Sequence, residues 1–391
     1  MTTTTMSYQQ MHEWMHGMRE KAPVHFDRES NVYAQVFGYA EAFTALTEYK
    51  DFSSDLSDLS PEKPEFELFR EGSFINLDPP VHDQLRGTVS KAFTPKVIAD
   101  LEPRIATVTD ELLEQAGTEF DLVEQLAYPL PVIVIAELLG IPTSDRPLFR
   151  KWADTLLSQN IAADDVVDDA LVEAVLPTMH EMNEYLLDHI RSRRRNPGTD
   201  LTSHLTLVES EGRTLTDSQI VGFVGLLLIA GHITTTALLG NSAILLDERP
   251  ELLPELRANR ELVPQAIEEF LRIRSPFPRL ARKARHDLEL GGVTVPAGTP
   301  LLLWIASANR DTAQFSAPDA LDIHRHPNRH LAFGKGIHFC IGAPLARLEA
   351  RVALNRLLDK YSGLAVAGEP QFFNPMSITS AKYLPVSGSL A

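Results

Sequence analysis

The chain has 391 residues, of which 44% are hydrophobic and 23% charged, and this composition indicates a globular protein with a large core. Its formal net charge of -17 argues against DNA, RNA or anionic lipid as the main partner. The single cysteine excludes an intrachain disulfide, and the first residues lack the basic and apolar segments of a signal peptide. We therefore expect a cytoplasmic protein.

Helical periodicity dominates the sequence. Apolar residues recur at helical spacing in segments 98–117, 125–140, 147–158, 170–195, 217–247, 251–258 and 261–274. Strand-like runs are short and cover Val32–Phe37, Leu288–Val295 and Pro300–Ile305. No repeat and no Gly/Ser-rich linker interrupts the chain. The sequence therefore predicts one domain over residues 1–391, mainly α with a smaller β-rich part.

One helical segment has the length and apolarity of a membrane span. From Ile220 to Leu246 no residue carries a fixed charge. However, the segment contains His232 and Asn241, and acidic Asp217 and Asp247 flank it in place of basic residues. We therefore expect the central helix of a soluble core, with a membrane protein as the weaker alternative.

The surroundings of Cys340 are the most informative part of the sequence. Three glycines allow the backbone to turn tightly and approach a flat ligand, and they are Gly334, Gly336 and Gly342. A helix is predicted to begin directly afterwards, with Pro344 in its first turn, and a helix N-terminus favours a thiolate. Because there is no second cysteine, zinc and iron–sulphur sites are excluded. A catalytic nucleophile or a single soft ligand to haem iron remains.

The pattern Phe333-x-x-Gly336-x-x-x-Cys340-x-Gly342 resembles the haem-binding signature of the cytochromes P450. The resemblance runs from about residue 12 to residue 387. It implies the P450 fold without a fused reductase, with haem b held between a long central helix and the helix after the cysteine. It also implies that Cys340 is the axial iron ligand, that Phe333 packs near the sulphur and that Gly342 adjoins the cofactor. A thiolate ligand favours O–O cleavage, so the implied chemistry is oxygen activation.

Further residues match positions with known roles in this family. Glu269 and Arg272 lie three apart on one predicted helix face and can pair. By the resemblance, Arg325 completes a structural network with them that locks the cysteine loop against the core. The resemblance also assigns the haem propionates to four cationic or donor side chains, which are His82, Arg86, Arg282 and His338.

The long apolar segment contains a stretch that resembles the family's oxygen-binding groove. Ala230 and Gly231 are small enough for the helix to pass close to haem and leave space for O2. Thr234 would hold its hydroxyl near the distal oxygen as an oxygen and proton relay. Most relatives carry an acid directly before this threonine, whereas this chain has Ile233. Because isoleucine cannot carry a proton, we expect proton delivery, and with it the coupling of oxygen activation, to be impaired.

The resemblance implies a monooxygenase that takes electrons from a ferredoxin and its reductase. It would insert one oxygen atom from O2 into a lipophilic small molecule, by hydroxylation or epoxidation, for instance into a secondary metabolite such as a polyketide. The alternative that Ile233 suggests is a haem-thiolate protein with atypical or poorly coupled oxygen chemistry, or one that binds a ligand without turnover. A peroxide-driven enzyme is disfavoured because no arginine follows Ile233 within the next turn. No nucleic-acid or membrane partner is expected.

Two kinds of contact surface are also predicted. The resemblance places five segments around the substrate, which are Asp55–Ile75, Ser158–Leu176, Phe223–Ile229, Pro276–Arg279 and Ser377–Lys382. The second segment contains four acidic residues, Asp164, Asp165, Asp168 and Asp169. They would steer a cationic substrate towards the site, although a solvated loop is the simpler interpretation of these charges. The ferredoxin is expected to dock where four basic residues present positive charge, which are Arg86, Lys335, Arg347 and Arg351.

Overall fold

The computed structural model describes residues 6–27, 32–59, 63–145, 147–149, 151–152, 155, 169–210 and 212–391. Helices predominate among them. These are α1 (Tyr8–Lys21), α2 (Tyr39–Thr47), α3 (Pro64–Gly72), α4 (Val81–Ala92), α5 (Pro95–Ala99), α6 (Glu102–Glu114), α7 (Pro129–Leu138), α8 (Asp169–Arg195), α9 (Leu201–Leu207), α10 (Asp217–Glu248), α11 (Leu252–Ala258), α12 (Val263–Ile273), α13 (Ile305–Ala308) and α14 (Ala343–Lys360).

The strands are short, as the sequence predicts. They are β1 (Val24–His25), β2 (Ala34–Val36), β3 (Phe52–Ser53), β4 (Glu119–Asp121), β5 (Glu209–Ser210), β6 (Arg213–Thr214), β7 (Leu280–Ala284), β8 (Leu288–Leu290), β9 (Val293–Val295), β10 (Pro300–Leu303), β11 (Tyr361–Val366), β12 (Gln371–Phe372), β13 (Ala381–Tyr383) and β14 (Pro385–Leu390). The fold is therefore mainly α with a smaller sheet part.

Contacts between residues divide the chain into two compact units. The first unit comprises Met1–Ser54, Ile105–Tyr128 and Thr234–Ala391, and the second comprises Asp55–Arg104 and Pro129–Ile233. One boundary between them falls inside α10, which we call the central helix.

The main sheet of the first unit has the strand order β1-β2-β10-β7-β3. Strand β10 pairs in parallel with β2 and antiparallel with β7, and all four of its residues are buried. A continuous apolar run such as Leu301–Leu303 suits a central strand because both faces of the strand are covered. The first unit also contains a three-stranded sheet of the order β11-β14-β4 and two two-stranded sheets, β8-β9 and β12-β13.

Helix α1 packs on the first unit through a narrow apolar face. Met11 and Met15 are its fully buried residues, and a capping box between Ser7 and Gln10 closes its N-terminus. The Tyr8 hydroxyl donates a hydrogen bond to the Ile273 carbonyl at 2.8 Å. Two buried methionines one turn apart give only a weak periodic signal, and for this reason the helix was not predicted from the sequence.

The described residues of the second unit are helical apart from loops and the β5–β6 hairpin, and two glycines let its helices approach closely. A Cβ atom on Gly222 of the central helix would lie 2.5 Å from the backbone nitrogen of Gly72 at the end of α3. No side chain fits at that distance, so glycine at both positions allows the two backbones to come into contact. Phe74 and Phe223 stack beside this crossing with ring centroids 5.9 Å apart.

The central helix is the one helix of the described ranges that is long and apolar enough to cross a membrane. Its most apolar 18-residue window is 78% buried inside the protein. This burial is what we expect of the core helix that the sequence predicted.

Several predicted elements need correction at their boundaries. The predicted helix 98–117 is two helices, α5 and α6, and the predicted helix 125–140 begins with a π-helical turn at Val123–Ala127 before α7. The strand predicted over Leu288–Val295 is the hairpin β8–β9, because Gly291 and Gly292 both adopt positive φ and turn the chain. Half of the predicted helix 147–158 lies outside the described residues.

Candidate functional site

The cysteine loop, residues 333–342, is closed by its own backbone hydrogen bonds. The Cys340 N–H donates to the Phe333 carbonyl at 3.0 Å, and the Phe339 N–H donates to the Gly336 carbonyl at 3.1 Å. Gly342 then caps the N-terminus of α14, which we call the cysteine-loop helix. The Cys340 residue is exposed at this helix end, where the backbone dipole favours the thiolate.

Steric contacts require glycine at position 336, four residues before the cysteine. Gly336 has a φ of 72°, and a Cβ atom there would lie 2.5 Å from the Leu46 carbonyl oxygen. Any side chain would therefore strain the backbone and collide with α2. The structure thus explains why the Phe-x-x-Gly part of the pattern needs glycine at this place.

Glu269, Arg272 and Arg325 form one buried network in the first unit. The Arg272 guanidinium donates to both Glu269 carboxylate oxygens at 2.7 and 2.8 Å, and both side chains are fully buried. Arg325 donates to the same carboxylate at 3.2 Å. Arg272 also donates to three backbone carbonyls in the segment that precedes the cysteine loop, those of Asn309, Pro318 and Ala320. The carboxylate and the guanidinium therefore hold a long irregular stretch of chain in place.

The four expected propionate residues are divided between the two units. In the first unit, Arg282 is a buried residue of β7 and His338 ends a short 3-10 turn two residues before Cys340. In the second unit, His82 and Arg86 lie one turn apart on α4.

On α4, the side chains of His82 and Arg86 are each held by a neighbouring residue, Asp83 and Phe74. The buried His82 ring lies 2.8 Å from the Asp83 carboxylate, and the Arg86 guanidinium lies 5.3 Å from the centroid of the Phe74 ring. The packing and the carboxylate restrict the orientation of both side chains.

The middle of the central helix differs from the rest of it in exposure. Residues 220–228 and 235–246 are buried throughout, whereas Ile229, Ala230, Gly231 and Thr234 are partly exposed. Residues 230, 231 and 234 share one helix face, so the stretch predicted to form the oxygen groove has a partly exposed face. At Gly231 an added Cβ atom would be in ordinary contact with Ile135, 3.7 Å away.

His232 and Ile233, which lie between Gly231 and Thr234 in the sequence, point into the protein. Ile233 is 5% exposed, and His232 is buried with its Nδ1 on the Leu228 carbonyl. Burial lowers the pKa of His232 to about 4, and the hydrogen bond to Leu228 opposes this shift only in part. His232 is therefore neutral at neutral pH and cannot act as a cationic acid in place of the missing carboxylate.

Glu349 is a buried acid that was not singled out from the sequence. It lies on the cysteine-loop helix at 2% exposure, accepts a hydrogen bond from the Thr235 hydroxyl, and its Oε2 has no hydrogen-bond partner among the described residues. Burial raises the pKa of its carboxyl to about 8 despite the bond from Thr235. The signal for it was present, because Glu349 shares the apolar helix face of Leu345 and Val352.

This buried carboxyl predicts an unusual dependence of stability on pH. The folded pKa of about 8 lies above the ordinary value of 4.5, so between these values the folded protein keeps a proton that the unfolded chain releases. The contribution of Glu349 to stability should therefore fall as pH rises through this window, by roughly 1.4 kcal/mol for each pH unit. Glu349→Gln keeps the shape without the charge, and we expect its urea unfolding free energy to decline less from pH 5 to pH 8.

The exposed Glu114, at the end of α6, provides a matched control for the loss of one carboxylate. Glu114→Gln should follow the wild-type pH dependence. Parallel curves for wild type and Glu349→Gln would show that Glu349 ionises normally in the folded protein.

Some residues of the predicted substrate-steering surface lie outside the part of the chain that the structure describes. Asp164, Asp165 and Asp168 lie outside the described residues, so the proposed acidic steering stays a prediction.

Of the residues expected to form the ferredoxin docking face, Lys335 is exposed, but Arg347 forms a bidentate ion pair with Glu268 at 2.7 Å. The charge of Arg347 is thus matched inside the protein, and it adds less positive potential to a docking face than the sequence suggests.

The donor set of these residues fits haem b. A single exposed thiol at a helix N-terminus is a soft anionic ligand of the kind that haem iron accepts. The arginines and histidines have the charge and hydrogen-bonding capacity that two propionates require. The face at Ala230, Gly231 and Thr234 offers small side chains and one hydroxyl, as the predicted oxygen groove requires.

The chain is similar to known proteins of a single family. The family model for cytochrome P450 matches residues 254–382. The chain is 41% identical over 382 residues to erythromycin C-12 hydroxylase of Saccharopolyspora erythraea, covering 96% of this chain and 93% of the relative. It is 41% identical over 362 residues to cyclomarin C epoxidase of Salinispora arenicola, covering 92% of this chain and 91% of the relative.

A solved structure shows the same fold. The open form of the cytochrome P450 EryK from S. erythraea superposes with a TM-score of 0.90 at 40% identity, covering 98% of this chain and 97% of that chain. The range matched by the family model includes the signature around Cys340. The chain therefore belongs to the cytochrome P450 family, and it is a monooxygenase that uses haem b.

Proposed function

We propose that the enzyme inserts one oxygen atom from O2 into a lipophilic secondary metabolite, such as a polyketide, by hydroxylation or epoxidation. The observation that supports this most is the full-length similarity to relatives named for erythromycin hydroxylation and cyclomarin epoxidation. A ferredoxin and its reductase would supply the electrons, and the reaction would take place in the cytoplasm.

Each site residue has a proposed role in this reaction. Cys340 would bind the haem iron, and the bound haem would supply oxygen activation. Arg282 and His338, together with His82 and Arg86, would hold the propionates. Thr234 would place its hydroxyl beside the O2 site as an oxygen and proton relay.

The remaining residues would shape the cofactor site. Ala230 and Gly231 would keep the central helix close to the cofactor, and Gly342 would adjoin it at the start of the cysteine-loop helix. Phe333 would pack near the sulphur. Glu269, Arg272 and Arg325 would act structurally, since their network binds the chain before the cysteine loop.

The test is turnover with a surrogate ferredoxin, its reductase and NADPH. A panel of macrolides and other lipophilic natural products is first screened for spectral shifts of the bound haem, and each ligand that binds is then incubated under isotopically labelled O2. We expect mass spectrometry to show a product with a single labelled oxygen atom. Label taken from water, or a product without new oxygen, would contradict the proposal.

A second candidate is a haem-thiolate protein that binds its ligand without turnover or couples oxygen poorly. The buried Ile233, in the place of the usual acid, is the observation that favours it. Tight ligand binding with oxygen consumed but no oxygenated product would support this alternative over the first.

A further inference from the structure

Glu268 joins two elements that lie on either side of the cysteine in the sequence. From α12 its carboxylate accepts two hydrogen bonds from the Arg347 guanidinium, both at 2.7 Å, and lies 3.1 Å from the His330 ring. Arg347 belongs to the cysteine-loop helix, and His330 lies three residues before Phe333. One carboxylate therefore connects the entrance of the cysteine loop with the helix that follows it.

The charge state of this carboxylate is well defined. Partial burial raises the pKa of Glu268, but the hydrogen bonds from Arg347 and His330 outweigh this and lower it to about 2. Glu268 is thus ionised at any pH at which the enzyme works. A bidentate pair with a planar guanidinium is the strongest form of such a contact and also fixes its orientation.

The orientation of Arg347 places its charge on the cysteine loop. The guanidinium lies 4.5 Å from the centroid of the Phe333 ring, at cation–π distance. The carbonyl of Phe333 accepts the hydrogen bond from the Cys340 N–H at 3.0 Å. A continuous series of contacts therefore links Glu268 through Arg347 and Phe333 to the backbone of the cysteine.

His330 also connects Glu268 with Phe333. Its Nδ1 accepts a hydrogen bond from the Ala332 N–H at 3.2 Å, so in the neutral ring Nε2 carries the proton and donates it to Glu268. The His330 side chain is 3% exposed and its ring centroid lies 6.1 Å from that of Phe333. Glu268 thus contacts two groups that both lie beside the Phe333 ring.

We propose that Glu268 is a positioning residue for the cysteine loop, which holds Arg347 across Phe333 and cancels its positive charge next to the thiolate ligand. In this way Glu268 sets the electron-donor strength of Cys340 and the reduction potential of the bound haem. The inference rests on the proposed ligation of iron by Cys340.

The effect of removing the carboxylate charge has a definite sign. In Glu268→Gln the positive charge of Arg347 is no longer balanced, and an unbalanced positive charge favours the state that has gained an electron. At an effective dielectric constant of about 20, one unit charge on the order of 10 Å from a redox centre changes its equilibrium about tenfold. We therefore expect the potential to rise, with up to about a tenfold change in the ratio of reduced to oxidised protein at a fixed potential.

The experiment is a double-mutant cycle on the haem-loaded protein, with potentials from spectroelectrochemical titration. Glu268→Gln should raise the potential, Arg347→Met should lower it because Glu268 is then unbalanced, and the double variant should return close to wild type. Glu114→Gln, an exposed carboxylate lost from α6, is the matched control and should not shift the potential. The unfolding free energy of every variant is measured in parallel.

The possible outcomes distinguish the proposed role of Glu268 from the proposed ligation of iron by Cys340. An unchanged potential in Glu268→Gln, or a double variant whose potential stays as high as that of Glu268→Gln, would overturn the role of Glu268, even if stability falls. If wild-type protein instead lacks the thiolate signature in its reduced, CO-bound spectrum, the ligation by Cys340 itself is wrong.

Discussion

Replacement of Cys340 by serine is expected to abolish the thiolate signature in the reduced, CO-bound spectrum. Cys340 is the single cysteine of the chain, so no other soft anionic ligand can replace it. A serine hydroxyl at the same exposed helix end is a much harder ligand with a far higher pKa. Oxygen activation depends on electron donation from sulphur, and we therefore expect product formation to fall to background.

The measurement separates loss of the ligand from loss of the cofactor. Haem content is determined for wild type and Cys340→Ser, and spectra are compared at equal haem. Thr236→Ser, a small change on a buried face of the central helix, provides a folded control that should keep the wild-type spectrum. A wild-type Soret band at the ordinary histidine-haem position would refute the assignment of Cys340.

The parts of the site that could be predicted from the sequence depend on short-range patterns. The pairing of Glu269 with Arg272 follows from their spacing on one helix turn, and the structure has both groups in contact. Gly336 is set by a backbone conformation that few other residues adopt. The central helix follows from a long stretch without charge, which only a buried or membrane helix tolerates.

The parts that were missed depend on contacts between distant residues. Glu268 and Arg347 are 79 positions apart, and nothing in either local sequence distinguishes this pair from ordinary surface charges. Glu349 meets Thr235 across an even longer separation. Strands β11 and β14 pair with each other although neither has a strong alternating pattern, because their partner and not their own composition stabilises them.

Oxygen consumption is expected to be poorly coupled to product formation in this enzyme. Insertion of one atom of O2 releases the other as water and so consumes protons, and general acid delivery typically contributes on the order of 10²–10⁴ in rate. Ile233 cannot deliver a proton, His232 is neutral, and Thr234 can orient a water but cannot replenish protons. We therefore expect slow turnover and substantial peroxide release for substrates without a hydroxyl near the reacting carbon.

The measurement is product formed per NADPH consumed, compared for wild type, Ile233→Asp, Thr234→Ala and Glu349→Gln. Thr234→Ala should reduce coupling further, because the hydroxyl proposed to relay protons is lost. Glu349→Gln tests whether the protonated carboxyl that contacts Thr235, the next residue along the helix, supplies protons to this stretch, in which case its coupling falls as well. Ile233→Asp places a carboxylate at a 5% exposed position, so it should raise coupling only at a cost in stability. If wild type is already tightly coupled and Thr234→Ala changes nothing, protons do not reach oxygen through this part of the central helix.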